Sequence, residues 1–232
     1  MKIWAPYRAI WAHVLPFLAW IGIMEVPGVQ PAIRYAAQSA VAFGLLLWLR
    51  PWRYYIGSMR VRNLPLATAV GLGVCAIWIL PETRWFAAFP TVQDVYLRYG
   101  VRPMGSWPVF PASSPYAPEQ CGWVLACVRL AGSAFVIAVA EEFFWRGFLC
   151  RWFRSKEFLA VNPAAIGWMT MVVVAALFGL EHDRWLAGLA AGIAYGWLYV
   201  RTRDIAAAAV AHAVTNFTLG CYVLAAGAYR FW

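Results

Sequence analysis

Seven apolar runs set the frame of this 232-residue chain: 9–24, 32–49, 64–80, 123–150, 163–181, 185–200 and 205–227. A helix needs about 20 such residues to cross the hydrocarbon core of a bilayer. Backbone N–H and C=O groups find no water there, so runs of this kind form helices, which satisfy those groups internally. The expected fold is therefore all-α: a polytopic transmembrane bundle of about seven helices, six to eight being its range. Composition agrees, with 63% hydrophobic and 12% charged residues, against about 45–50% and 25% in soluble domains. The same numbers exclude a disordered chain, which needs the opposite balance. The first run has the length of a signal peptide, but no A-x-A-like cleavage site follows it, so it is expected to stay as a helix.

The net charge of +9 comes from 19 Lys and Arg against 10 Asp and Glu. In a soluble protein that would point to nucleic acid. Here the basic residues cluster between apolar runs, so no nucleic-acid partner is expected; the lipid bilayer is. Arg50, Arg53, Arg60 and Arg62 follow the second run, Arg151, Arg154 and Lys156 the fourth, and Arg201 and Arg203 the sixth. All fall on one side if the N-terminus, with Lys2 and Arg8, is cytoplasmic. Residues 1–232 then form a single integral-membrane domain. Residues 81–120, rich in Pro and carrying Trp85, Trp107 and Tyr116, become an external loop that caps the bundle, and 123–227 hold the functional helices. Gly188, Gly192 and Gly196 recur every fourth residue and make a small-residue stripe for close helix packing. The five cysteines show no metal-binding spacing.

Glu141 and Glu142, in AVAEEFFWRGFL, are out of place in such a chain. Each charge at the centre of a membrane helix costs about 2.5–3.5 kcal/mol on insertion scales, and nothing in folding requires two. Arg146 lies four residues after Glu142, on the same helix face. A Glu142–Arg146 pair would lower the cost and leave Glu141 for another task. His182 closes the fifth run, and His212 in the seventh has Asn216 one turn further along the same face. His13, with no ionisable neighbour in sequence, reads as a packing residue. Counted from the basic ends, Glu141 and His212 both fall near mid-bilayer, whereas His182, counted from Trp168, falls in the outer half; a tilt, a kink or a shortened helix would close the gap, and the short sixth run permits that.

Hydrolysis of an amide needs a base to activate water and donors aimed at the oxyanion. A carboxylate, two histidines and an asparagine amide are suitable groups for both tasks.

The strings EEFFWR, FGLEH and HAVTN match EExxxR, FxxxH and HxxxN. In these the chain resembles the CAAX-protease and bacteriocin-processing family of intramembrane glutamate proteases. The resemblance implies that Glu141 activates the water with help from His182, and that His212 and Asn216 form the oxyanion site. It also implies that Glu142 and Arg146 support the site and that Phe178 packs beside His182. It implies no cofactor, and a membrane-associated protein or peptide as substrate. Two features depart from the family: there is no clear eighth helix, and Glu181 beside His182 has no assigned role. The final stretch resembles the CAAX-protease-related proteins of bacterial exosortase systems. That likeness implies a bacterial inner membrane, sorting signals rather than prenylated proteins as substrates, and a sorting transpeptidase of the exosortase type as partner.

Three other readings stay open. Glu and His also bind zinc, although no HExxH helix is present. A non-catalytic scaffold or chaperone of a sorting system would use the same helices. A proton-coupled transporter also uses buried acids and histidines, although the two halves show no repeat. A serine protease would have to use Ser133, whose AGSAF surroundings fit packing better.

Overall fold

The computed structural model describes residues 5–55, 57, 59–102, 104–110 and 113–232. Among these it has eight main helices and no strand. They are α1 (Ala5–Met24), α2 (Pro31–Leu49), α3 (Leu64–Ile79), α4 (Pro90–Tyr99), α5 (Pro118–Trp152), α6 (Trp168–Leu180), α7 (Trp185–Thr202) and α8 (Ile205–Ala226). Every apolar run has become a helix, and α4 is a short addition within 81–120.

The ends follow ordinary capping chemistry. Pro31 opens α2, and the Gln30 side chain accepts from Ile33 N–H. Asp204 caps α8 through Ala206 N–H. Arg50 and Arg203 end α2 and α7 in the left-handed region, at φ 53° and 55°. Gly122, at φ 79°, breaks the first turn of α5, so the continuous part of that helix begins near 123.

Among the described residues, five helical stretches are long and apolar enough to cross a membrane: Tyr7–Met24, Pro31–Tyr54, Val61–Glu82, Pro118–Trp152 and Ile205–Ala226. The runs at 163–181 and 185–200 fall short of that standard. Pro163–Ala165 forms a 3-10 turn and Gly167 is extended, so α6 starts only at Trp168 and has 13 residues. Such a helix is about 20 Å long, less than the hydrocarbon core. The polar and small residues of α7 lower its hydropathy although it has 18 residues.

The helices pack mainly as α1 with α2, α3 with α8, and α6 with α7, while α5 touches α1, α2 and α8. In lipid, helix contacts depend on close van der Waals approach rather than on exclusion of water. The glycine stripe supplies that between α6 and α7: a Cβ on Gly188 would stand 3.0 Å from Gly179 Cα, and one on Gly192 2.8 Å from Ala175 Cα.

The basic connections meet at one end of the bundle. Asp204 accepts from Met59 N, Arg60 N and Asn63 Nδ2, each at 3.0 Å. Arg151 donates to Val161 O and Leu159 O and faces the Tyr55 ring at 5.7 Å. The connections after α2, α5 and α7 thus share one face, as the charge pattern requires. Lys2 lies outside the described residues.

Candidate active site

Glu141 and Glu142 stand in one α-helical turn, Ala138–Glu142, between two π-helical segments, Gly132–Ile137 and Phe143–Leu149. Each widened turn shifts the faces of a helix and loosens its carbonyl ladder, and such turns gather at functional sites. Nothing in the hydropathy pattern announces them. Both carboxylates are buried, at 7% and 0% exposure.

Glu142 is the anchor. Its Oε1 accepts from Arg146 Nη1 at 2.8 Å and from His212 Nδ1 at 3.0 Å. The pair expected from the i,i+4 spacing is therefore formed, and it reaches α8 as well. Arg146 also donates to Gly192 O at 3.1 Å. Its guanidinium lies 4.6 Å from the Phe178 ring centroid and 5.4 Å from that of Tyr195.

His212 donates through Nδ1 to a carboxylate, which sets its tautomer and turns Nε2 toward Glu141 Oε2, 3.9 Å away. That Glu141 oxygen has no hydrogen-bond partner among the described residues. Tyr195 stacks on the His212 ring at 4.9 Å and 25°, and its hydroxyl donates to Thr215 at 2.6 Å. Thr215 in turn donates to Gly71 O and Ala211 O. The sequence reading singled out neither Tyr195 nor Thr215. The signal available was a tyrosine on the glycine face of α7 and a threonine between His212 and Asn216.

His182, two residues past the end of the short helix α6, meets the cluster through Phe178. The expectation placed the possible shortening in the sixth run; it lies in the fifth. His182 Nδ1 donates to Phe178 O at 2.8 Å, leaving Nε2 free to accept. Its ring lies 4.7 Å from Phe178 and 5.4 Å from Trp78, and Phe178 in turn meets His212 edge-on at 5.8 Å. Phe178 thus stands between the two imidazoles. Asn216 donates through Nδ2 to Ser133 O at 2.9 Å, a carbonyl of the first π-helical segment. One amide hydrogen is held there and the other is free to donate elsewhere. The Ser133 hydroxyl is used on Leu130 O at 3.0 Å. Glu181 is exposed in the turn after α6.

The turn that carries His182 is held from outside the apolar runs. Arg184 donates to both oxygens of Glu82, at 2.5 and 3.0 Å, and Arg230 to the same carboxylate at 3.0 Å. Arg102 N donates to Asp183 O at 3.0 Å, and Trp185 Nε1 to Tyr99 O at 2.6 Å. Residues 81–102 therefore buttress the turn.

His13 is buried and lies apart from this site, sharing hydrogen bonds with Ala9 O and the Tyr55 hydroxyl. Among the described residues, no three His, Cys, Asp or Glu side chains gather as a metal-ion ligand set. An apolar groove of 710 Å³ runs between α5 and α8, past Phe135, Val139, Val210 and Phe217, and reaches Glu142.

A protein-family model described as type II CAAX prenyl endopeptidase Rce1-like matches residues 123–218, which hold all three motifs. No curated protein and no solved structure matches the chain.

Proposed function

Because residues 123–218 match the Rce1-like CAAX endopeptidase family model, we propose that the protein is an intramembrane endopeptidase that uses Glu141 to activate water. The observation that carries this is the Glu141 carboxylate: buried, with Oε2 unpartnered among the described residues, and 3.9 Å from His212 Nε2. Such a gap takes a bent water bridge.

The charges around the site suit this chemistry. Arg146 balances Glu142, which leaves one negative charge to be balanced by one proton, held on either Glu141 or His212. An imidazolium at His212 presents Nε2–H as an oxyanion donor, while Glu141 stays ionised as the base. Glu141 takes a proton from water, with His182 Nε2 helping to orient it, and the hydroxide oxygen bonds to the scissile carbonyl carbon. The oxyanion accepts from His212 and from the free Asn216 amide hydrogen. Glu141 then returns its proton to the amide nitrogen as the C–N bond breaks, giving a carboxylic acid and an amine. Glu142 holds the His212 ring in its orientation through this cycle.

The substrate class is a membrane-associated protein or peptide. The groove between α5 and α8 supports that reading, because its apolar walls reach Glu142, the neighbour of Glu141. The N-terminus and the basic end face the cytoplasm, and the inner membrane of a bacterium is the proposed location. Sorting signals handled with an exosortase-type transpeptidase are the proposed substrates. Residues 81–120 lie on the opposite face.

The test uses purified wild-type protein, Glu141→Gln and His212→Ala against a library of membrane peptides, with and without chelator. Cleavage by the wild type alone supports the mechanism. Cleavage that survives Glu141→Gln overturns it. Full complementation of a deletion strain by that variant would favour the scaffold, and chelator-sensitive cleavage restored by zinc would favour a metalloprotease.

A further inference from the structure

A second concave site lies at the basic end, away from the carboxylates. Arg8 of α1 and Arg50 and Arg53 beyond α2 line a pocket of 200 Å³ with Leu49 and Tyr54. The left-handed conformation of Arg50 turns the chain into a 3-10 turn, Pro51–Tyr54, which brings Arg53 back beside it. Arg50 Nε donates to Leu47 O at 3.1 Å. Among the described residues, none of the three guanidinium groups meets a carboxylate, although Glu82, Glu142 and Asp94 each pair with an arginine elsewhere.

Three like charges lining one concavity repel each other unless an anion joins them. The pocket has the volume for a tetrahedral oxyanion, and guanidinium forks match phosphate oxygens two at a time. Tyr7 and Trp11 on α1 and Trp48 on α2, close in sequence to these arginines, are exposed. Aromatic side chains of this kind sit at headgroup level. A site at this depth has anionic lipid as its nearest source of phosphate.

We propose that this pocket binds a phosphate group, supplied by the headgroup of an anionic phospholipid whose chains lie against α1 and α2. The site is separate from the proposed hydrolytic centre and does not depend on that reading.

Native mass spectrometry of the purified protein tests it, with phosphatidylglycerol, phosphatidylcholine and inorganic phosphate as probes. One saturable phosphatidylglycerol site is expected, with no comparable phosphatidylcholine site. Each arginine removed should weaken it about five-fold, so Arg8→Ala with Arg53→Ala should lose about 25-fold. Arg154→Ala with Arg201→Ala removes equal charge from exposed positions at the same end and should leave binding unchanged. Arg50 is left intact because its backbone conformation makes the turn. Inorganic phosphate that binds as tightly as the lipid, with the same dependence on Arg8 and Arg53, would keep the anion site and overturn its assignment to lipid. Equal loss in both double variants, or phosphatidylcholine bound as tightly, would overturn the site itself.

Discussion

Glu142 Oε1 accepts a hydrogen bond from His212 Nδ1 at 3.0 Å, and this contact joins α5 to α8 one residue from Glu141. The same oxygen carries the Arg146 pair, so removing the charge affects orientation and burial together. Glu142→Gln should lower turnover about 10–100-fold, the usual cost of losing a group that orients a reactive imidazole. It also leaves the Arg146 guanidinium buried without a countercharge, a loss of about 3–5 kcal/mol. Peptide turnover well below the variant's melting temperature separates the two effects. Full activity there would show that Glu142 does not orient His212.

The glycine stripe makes a second prediction. A Cβ on Gly192 would meet Ala175 Cα at 2.8 Å and Ala175 O at 3.1 Å. Backbone cannot yield as a flexible side chain does, so Gly192→Ala should destabilise by about 1–3 kcal/mol. It should also displace the carbonyl that accepts from Arg146. Gly73, inside α3, has open space around its missing Cβ. Gly73→Ala should therefore be neutral or stabilising by up to about 1 kcal/mol. Thermal unfolding of the two variants in detergent checks the contrast; equal melting temperatures would refute it.

These particulars show which parts of the site could be read from residues and which could not. The Glu142–Arg146 pair follows from helix spacing alone. The approach of Glu141 to His212 follows from counting rise per residue between basic ends. Rise counted from Trp168, where α6 does begin, could not place His182, because it does not say at what depth that helix starts. The Asn216–Ser133 contact was illegible for another reason: it depends on a backbone carbonyl in a π-helical segment, and no side-chain pattern encodes that widening. Residues 81–102 misled in a third way. Their polarity said loop, and only contacts distant in sequence show them bracing the His182 turn.

That brace is testable by itself. Glu82 is 3% exposed and carries both Arg184 and Arg230. Glu82→Gln strands Arg184, itself 6% exposed, and should cost about 3–5 kcal/mol. Arg230 is 32% exposed, and an ion pair that meets solvent contributes about 0–1 kcal/mol, so Arg230→Ala should change little. If the brace positions His182, Glu82→Gln lowers kcat with KM nearly constant, and hydrogen exchange rises across residues 181–186. Unchanged kcat despite faster exchange would separate the brace from catalysis.

Asp204 gives the pH prediction. It is 1% exposed at the start of α8. Burial by itself would raise its carboxyl pKa, but donors from Arg60, Met59, Asn63 and Ala206 outweigh that and hold it below the ordinary carboxylate range. A group lowered on folding adds stability above its unfolded value, about 3.9. That contribution is lost as pH falls through the lower folded value. The melting temperature should thus be insensitive to Asp204 between pH 6 and 8 and decline below about pH 4. Asp204→Asn keeps one acceptor oxygen but not the charge. It should melt lower at neutral pH, and the gap from wild type should narrow as pH falls below about 4. Thermal unfolding of both proteins from pH 7 down to pH 3 measures that gap. A constant gap would mean that the Asp204 charge does not hold the connection after α2 onto α8.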